Sequence, residues 1–116
     1  APTLASAATI NVAPGDSIQN AVNNANPGDT IYLRGGTHSP SSQITITRDG
    51  TSGNRINIFN YPGEKPVIDA SNQPGGGVKA IIWLSSASWW HIKGLELKNG
   101  PIEGLEASGS SGNNIF

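Results

Sequence analysis

The sequence contains no cysteine and no methionine. Without cysteine there are no disulfides and no thiolate metal sites, a condition met by exported bacterial and by cytosolic proteins alike. Charged residues make up 13 % and apolar residues 35 %, both below the usual share for a globular domain. The net charge is −1 and no basic tract is present, so nucleic-acid binding lacks electrostatic support. No apolar run is long enough to cross a bilayer as a helix. Also missing are a Ser/His/Asp triad, a zinc-type histidine cluster and a phosphate-binding loop. Gly75-Gly76-Gly77 lacks the Lys-Ser/Thr that such a loop requires and reads as a flexible turn.

What fills the space is Gly, Ser, Asn and Thr, with 15 Gly and 8 Pro in 116 residues. That length allows one domain with one modest core. A helical bundle is excluded by the glycine and proline. Disorder is excluded because the apolar residues are gathered into short β-type runs. The expected class is all-β.

Residues 1–8 read as an N-terminal arm. Ala5-Ser6-Ala7 resembles the small-residue end of an export signal, and the protein is expected to be secreted. Residues 9–29 read as a strand and a capping helix. Thr9–Val12 alternates, and Ala13-Pro14-Gly15-Asp16 is a turn. Asp16 is placed to cap a helix, with Gln19 three residues on completing a capping box. Ile18, Ala21, Val22 and Ala25 follow at helical spacing, giving a helix over 17–24 that Asn26-Pro27-Gly28 stops. No second amphipathic helical pattern follows.

From residue 30 onward the text is strand and turn. Runs centred on Tyr32, Ile58, Ile82 and Leu105 recur at intervals of about 23–26 residues, and a second set at Thr45, Ile68, Ile92 and Ile115 keeps step, a mark of solenoids. Residues 30–116 are therefore expected to form stacked coils of two or three strands each. Alternation sends Ile44, Ile46, Ile56, Ile58 and Ile92 to a shared core. The helix is expected to act as a lid on the open end of that core.

Three stretches carry a family resemblance: Asn26-Pro27-Gly28-Asp29-Thr30-Ile31-Tyr32-Leu33-Arg34-Gly35-Gly36-Thr37, Tyr61-Pro62-Gly63-Glu64-Lys65-Pro66-Val67-Ile68-Asp69, and Trp90-His91-Ile92-Lys93-Gly94-Leu95-Glu96-Leu97-Lys98. In order and content they resemble the N-terminal cap and first coils of right-handed parallel β-helix polysaccharide lyases, most of all the family-nine pectate lyases. His38 departs from the pattern, standing where the family usually has an aromatic residue such as tyrosine. The resemblance implies a right-handed parallel β-helix of about three to four coils. It also implies calcium-assisted β-elimination on an acidic uronate polysaccharide such as polygalacturonate. In such enzymes a lysine removes the proton beside the carboxylate, and calcium held by aspartates makes that proton more labile. Those lysine and aspartate motifs belong to later coils. The chain is thus expected to be the N-terminal piece of a longer enzyme, inactive alone, with no catalytic residue and no metal ligand of its own. A non-catalytic carbohydrate-binding, adhesion or structural β-helix module is the alternative, and an open C-terminal edge would allow self-association.

Within the chain, the candidate substrate contacts are Trp89, His91, Lys93 and Lys98. Aromatic faces stack on sugars, and outward cations meet acidic glycans. His91 should face outward if Ile92 faces inward. Asp29, Asp49 and Asp69 are isolated in turns and are expected to bond backbone N–H groups rather than a cation. Glu96 and Glu106 would form an acidic patch if they point outward on neighbouring strands. Arg34 is expected to pair with a turn carboxylate.

Overall fold

Alternating β-branched residues in runs of three to six cannot bury both faces in a single hairpin, and the chain instead stacks them in parallel. A computed structural model describes residues 7–73, 80–100 and 103–116. The Gly75–Gly77 turn and the 1–6 part of the arm lie outside the described residues.

The elements are β1 (Thr9–Val12), α1 (Ile18–Asn24), β2 (Thr30–Leu33), β3 (Gly36–His38), β4 (Ile44–Ile46), β5 (Ile56–Asn60), β6 (Pro66–Asp69), β7 (Ala80–Ser85), β8 (Trp90–Lys93), β9 (Glu96–Lys98) and β10 (Glu103–Ser108). They build three parallel sheets, ordered β1-β2-β5-β8, β3-β6-β9 and β10-β7-β4. Each turn of the chain lays one strand in each sheet, giving the coils β2-β3-β4, β5-β6-β7 and β8-β9-β10. A parallel bridge between His91 and Ile115 adds to the first sheet beyond β8. This is a three-sided parallel β-helix.

The core is a column of inward side chains. Ile31, Leu33, Ile56, Ile58, Ile68, Ile81, Leu84 and Trp90 have no exposed surface. Registration stacks like on like: Ile31 on Ile58 on Ile92 in the first sheet, and Ile44 on Ile82 in the third. Each fully buried Ile or Leu contributes roughly 1.5–3 kcal/mol of transfer free energy. Trp90 also donates its indole N–H to Arg48 O at 2.7 Å, so its polar end is satisfied in the interior.

Four expectations are corrected. The two periodic series do not map onto two sheets. Tyr32 and Ile58 lie in the first sheet but Ile82 and Leu105 in the third, and Thr45, Ile68 and Ile92 lie in three different sheets. The true offsets are uneven: 27 residues from Ile31 to Ile58, 34 from Ile58 to Ile92, 38 from Ile44 to Ile82 and 23 from Ile82 to Leu105. Insertions in the turns spoil a fixed period while leaving the stacking intact. Second, Gly35-Gly36 does not simply end a strand. Gly36, at φ +108°, turns the corner and begins β3. Third, the helix cap is Ser17, whose hydroxyl accepts from Asn20 N at 3.1 Å. Asp16 instead closes its own turn by accepting from Ala13 N at 3.0 Å. Fourth, Asn114–Phe116 forms that single bridge rather than a full strand.

Gln19, freed from the capping box, carries the lid. Its side-chain amide donates to Thr45 O at 2.9 Å and accepts from Thr45 N at 2.8 Å. It thereby copies a strand neighbour along the free edge of β4. Ile18, Ala21 and Val22 face the same core. The helix covers the end of the core and one exposed sheet edge together, which is the task of a solenoid cap.

Candidate functional site

The three outer faces of the β-helix differ in chemistry, because alternation fixes which residues point out and register fixes which meet. On the first sheet the outward columns are Thr30, Asn57 and His91, and beside them Tyr32, Phe59 and Lys93. Tyr61 extends the face just past β5. Tyr32 lies edge-on to Phe59 at 6.4 Å and to Tyr61 at 5.9 Å, and Phe59 edge-on to His91 at 4.9 Å. Cations lie on the rings: Lys93 Nζ is 4.4 Å from the Phe59 centroid, the Arg34 guanidinium 4.1 Å from Tyr61, and the Arg55 guanidinium 5.2 Å from Trp89. Such contacts hold flexible cations against rigid planes.

Only Glu64 brings negative charge here, and it is spent. It receives Arg34 Nε at 3.0 Å, Arg34 Nη2 at 2.8 Å and Gly35 N at 2.7 Å. The Arg34 hydrogen bonds, then the Gly35 N–H, hold its carboxyl down at about 2. Arg34 thus pairs with a turn carboxylate as the sequence indicates. Lys93 and Arg55 remain without a carboxylate partner among the described residues. His91 is pushed below its ordinary value, by burial first and then by Lys93 and Arg55, so it is neutral at pH 7.

The other faces are unlike this one. In the second sheet Asp69 pairs in register with Lys98, and Glu96 opposes Val67. In the third, Thr45, Trp83 and Glu106 are in line, and the Trp83 indole donates to Ser108 Oγ at 2.7 Å. Glu96 and Glu106 therefore lie on different sheets and form no common patch, which corrects that expectation. Of the four residues singled out as substrate contacts, the fold brings Trp89, His91 and Lys93 to one face. Lys98 lies on another, beside Asp69.

Trp89 sits at φ +65°, a left-handed conformation rare for a bulky residue. Its N–H donates to Gly112 O at 3.3 Å and its O accepts from Ile56 N at 3.0 Å. The space beneath is so tight that a Cβ on Gly50 would stand 2.5 Å from Trp89 O. Trp89 is half-buried and fixed, whereas Trp90 next to it is core.

The isolated aspartates are used as turn residues. Asp29 is buried and accepts from Ala8 N and Asn26 N, each at 2.8 Å. Asp49 accepts from Ser88 N at 2.8 Å. Asp69 accepts from Ser71 N at 2.9 Å, the Ser71 hydroxyl and Asn99 Nδ2 at 3.0 Å. Those donors, the Ser71 hydroxyl foremost, hold the Asp69 carboxyl at about 2. No three His, Asp or Glu side chains converge among the described residues. A calcium ion needs several converging oxygens, and these carboxylates, separated and already bonded to donors, do not fit one. His38 also points inward: it is buried, with Nε2 2.8 Å from Arg34 O. Since a carbonyl only accepts, Nε2 carries the proton.

Residues 3–116 match the family model described as Pel9A-like, right handed beta helix region. The chain belongs to this Pel9A-like β-helix family. It is 40 % identical over 111 residues to pectate lyase PEL9 of Emericella nidulans, covering 87 % of this chain and 27 % of that protein. It is 35 % identical over 125 residues to pectate lyase L of Paenibacillus polymyxa, covering 96 % of this chain and 28 % of that protein. Among solved structures, an alginate lyase from Paenibacillus sp. str. FPU-7 superposes with a TM-score of 0.74 at 25 % identity, over 92 % of this chain and 34 % of that one. The Pel9A-like chain therefore spans little more than a quarter of the length of these two pectate lyases.

Sequence reasoning passed over Tyr32, Phe59, Tyr61 and Arg55. The signal for the first two was present: if Ile31 and Ile58 face inward, their neighbours Tyr32 and Phe59 face out. That they stack on each other follows only from the register, which uneven turns conceal.

Proposed function

We propose that this region forms the cap and first coils of a secreted polysaccharide lyase that cleaves an acidic uronate polymer such as polygalacturonate by calcium-assisted β-elimination. The base and the calcium carboxylates belong to coils following Phe116, and residues 1–116 alone carry no activity. The role of this region is to cap the solenoid and to hold part of the polyanion on the outer face of the first sheet.

The observation that carries this reading is the asymmetry of the three faces. One face alone combines a ladder of aromatic rings with cations that no carboxylate neutralises. Ring faces cover the C–H faces of pyranoses, and ammonium or guanidinium groups meet uronate carboxylates. Parallel coils rise about 4.8 Å each, close to the length of one pyranose unit, so a sugar chain laid along the axis meets a new rung at each residue. The two pectate lyases and the alginate lyase it resembles support the polymer class.

The test uses the full-length protein with polygalacturonate and calcium. Ultraviolet absorbance of the unsaturated product is expected to rise, and residues 1–116 alone are expected to give none. Binding of uronate polymers without product on any of them would replace the lyase with a non-catalytic module.

A further inference from the structure

A cleft of about 330 Å³ opens beside the first sheet, lined by Gly28, Ser52, Gly53, Asn54, Arg55 and Asn57. Its walls are polar. They come from the turn before β2 and from the 47–55 turn, where Thr51 and Asn54 bridge in antiparallel fashion. Asn57 joins the cleft to the outer face, since it lies in register between Thr30 and His91.

Arg55 is the one charged residue in the lining. A guanidinium presents five N–H donors in a planar fork and is always protonated. Here Nη2 donates to Asn113 O at 3.2 Å, and Nε has no partner. No carboxylate pairs with Arg55 among the described residues. Arg34 makes the contrast: the same residue type, also laid on an aromatic ring, is locked in a two-bond pair with Glu64. Arg55 is held equally firmly from below by Trp89, at 5.2 Å, yet its acid is missing. A half-buried, pre-oriented guanidinium without its counter-ion, in a polar cleft continuous with an aromatic sugar face, is a carboxylate receptor.

We infer that Arg55, seated on Trp89, is a subsite for one uronate carboxylate and makes this face discriminate acidic from esterified polymer. The inference rests on the glycan-binding reading of the first sheet. In this arrangement the rings supply contact that any pyranose satisfies. Arg55 supplies the part that requires a free carboxylate, and Asn57 adds a polar group beside it. Lys93, at the far end of the same face, is a mobile point charge and discriminates less by geometry.

The experiment measures affinity of the intact protein for polygalacturonate and for its fully methyl-esterified form, with Arg55→Gln and Arg55→Lys. Wild type is expected to prefer the acid polymer. Arg55→Gln is expected to weaken acid-polymer binding by about tenfold, the size of one charged hydrogen bond, and to leave the ester unchanged. Arg55→Lys keeps the charge without the fork and is expected to fall between. Its thermal midpoint, unchanged, separates binding from the support Arg55 gives Asn113. Equal loss on both polymers, or none on either, overturns the inference. Loss of acid-polymer binding in Phe59→Ala alone, with Arg55→Gln unaffected, overturns it while the glycan-binding reading stands. Failure of wild type to bind either polymer overturns both.

Discussion

Glu64 shows how one side chain can tie two coils. It lies in the turn between β5 and β6, yet its carboxylate receives both Arg34 and the Gly35 N–H from the coil before. Asp69 does the same one corner on, receiving Ser71 and, from the next coil, Asn99. Both carboxyls titrate at about 2 when folded, against ordinary values of 4.5 and 3.8. A depressed folded pKa gives stability that is complete above the ordinary value and lost as pH falls toward the folded one. Thermal midpoints are therefore expected to drop between about pH 4.5 and pH 2, and Glu64→Gln to flatten that drop while lowering the midpoint at pH 7. A pH series of melting curves on both proteins checks this. Much at this scale was legible from residue type and neighbours: Arg34 seeking a turn acid, the aspartates bonding backbone, His91 facing out. The partner of Arg34 was not, because Glu64 is 30 residues away in the chain and adjacent only through stacking.

At the scale of elements, α1 is the informative case. Its existence and its apolar stripe follow from spacing alone, and the start at Ile18 differs from the spacing by one residue. Its docking does not follow, because Gln19 fits a capping box on paper. The side chain goes instead to β4, where it satisfies an N–H and a C=O that no strand reaches. Ser17 takes over the cap, the hydroxyl being enough for one free donor. Gln19→Ala should therefore act on the lid more than on the helix, leaving two part-buried groups of Thr45 unpaired at about 1–3 kcal/mol. A lower urea midpoint with unchanged far-ultraviolet helix signal is expected. An unchanged midpoint would show the helix to be held by Ile18, Ala21 and Val22 alone. The strand β3 was hidden for a related reason: a double glycine reads as a stop, yet here Gly36 turns the corner and at once pairs with Pro66.

For the whole molecule, the solenoid was visible as recurrence but its register was not. Counting about 24 residues forward from one strand lands on a different sheet, because turns such as 47–55 and 70–79 add unequal lengths between strands. Side-chain alternation survives such insertions, and phase between coils does not. The functional face depends on that phase. Tyr32, Phe59 and Lys93 are 27 and 34 residues apart and become one column only when β2, β5 and β8 stack. The same stacking puts Lys98 out of reach and separates Glu96 from Glu106. The free edges of β9 and β10 and the exposed Ile115 and Phe116 mark where further coils would seat. The central claim, that the first sheet's outer face holds an acidic polysaccharide, is tested most directly by electrophoresis through gels containing polygalacturonate. Wild type is expected to be retarded, Phe59→Ala with Lys93→Gln to run nearly free, and Trp83→Ala, on the third sheet, to be retarded as wild type is. Equal retardation of all three proteins, or release by the Trp83 change alone, would contradict the account.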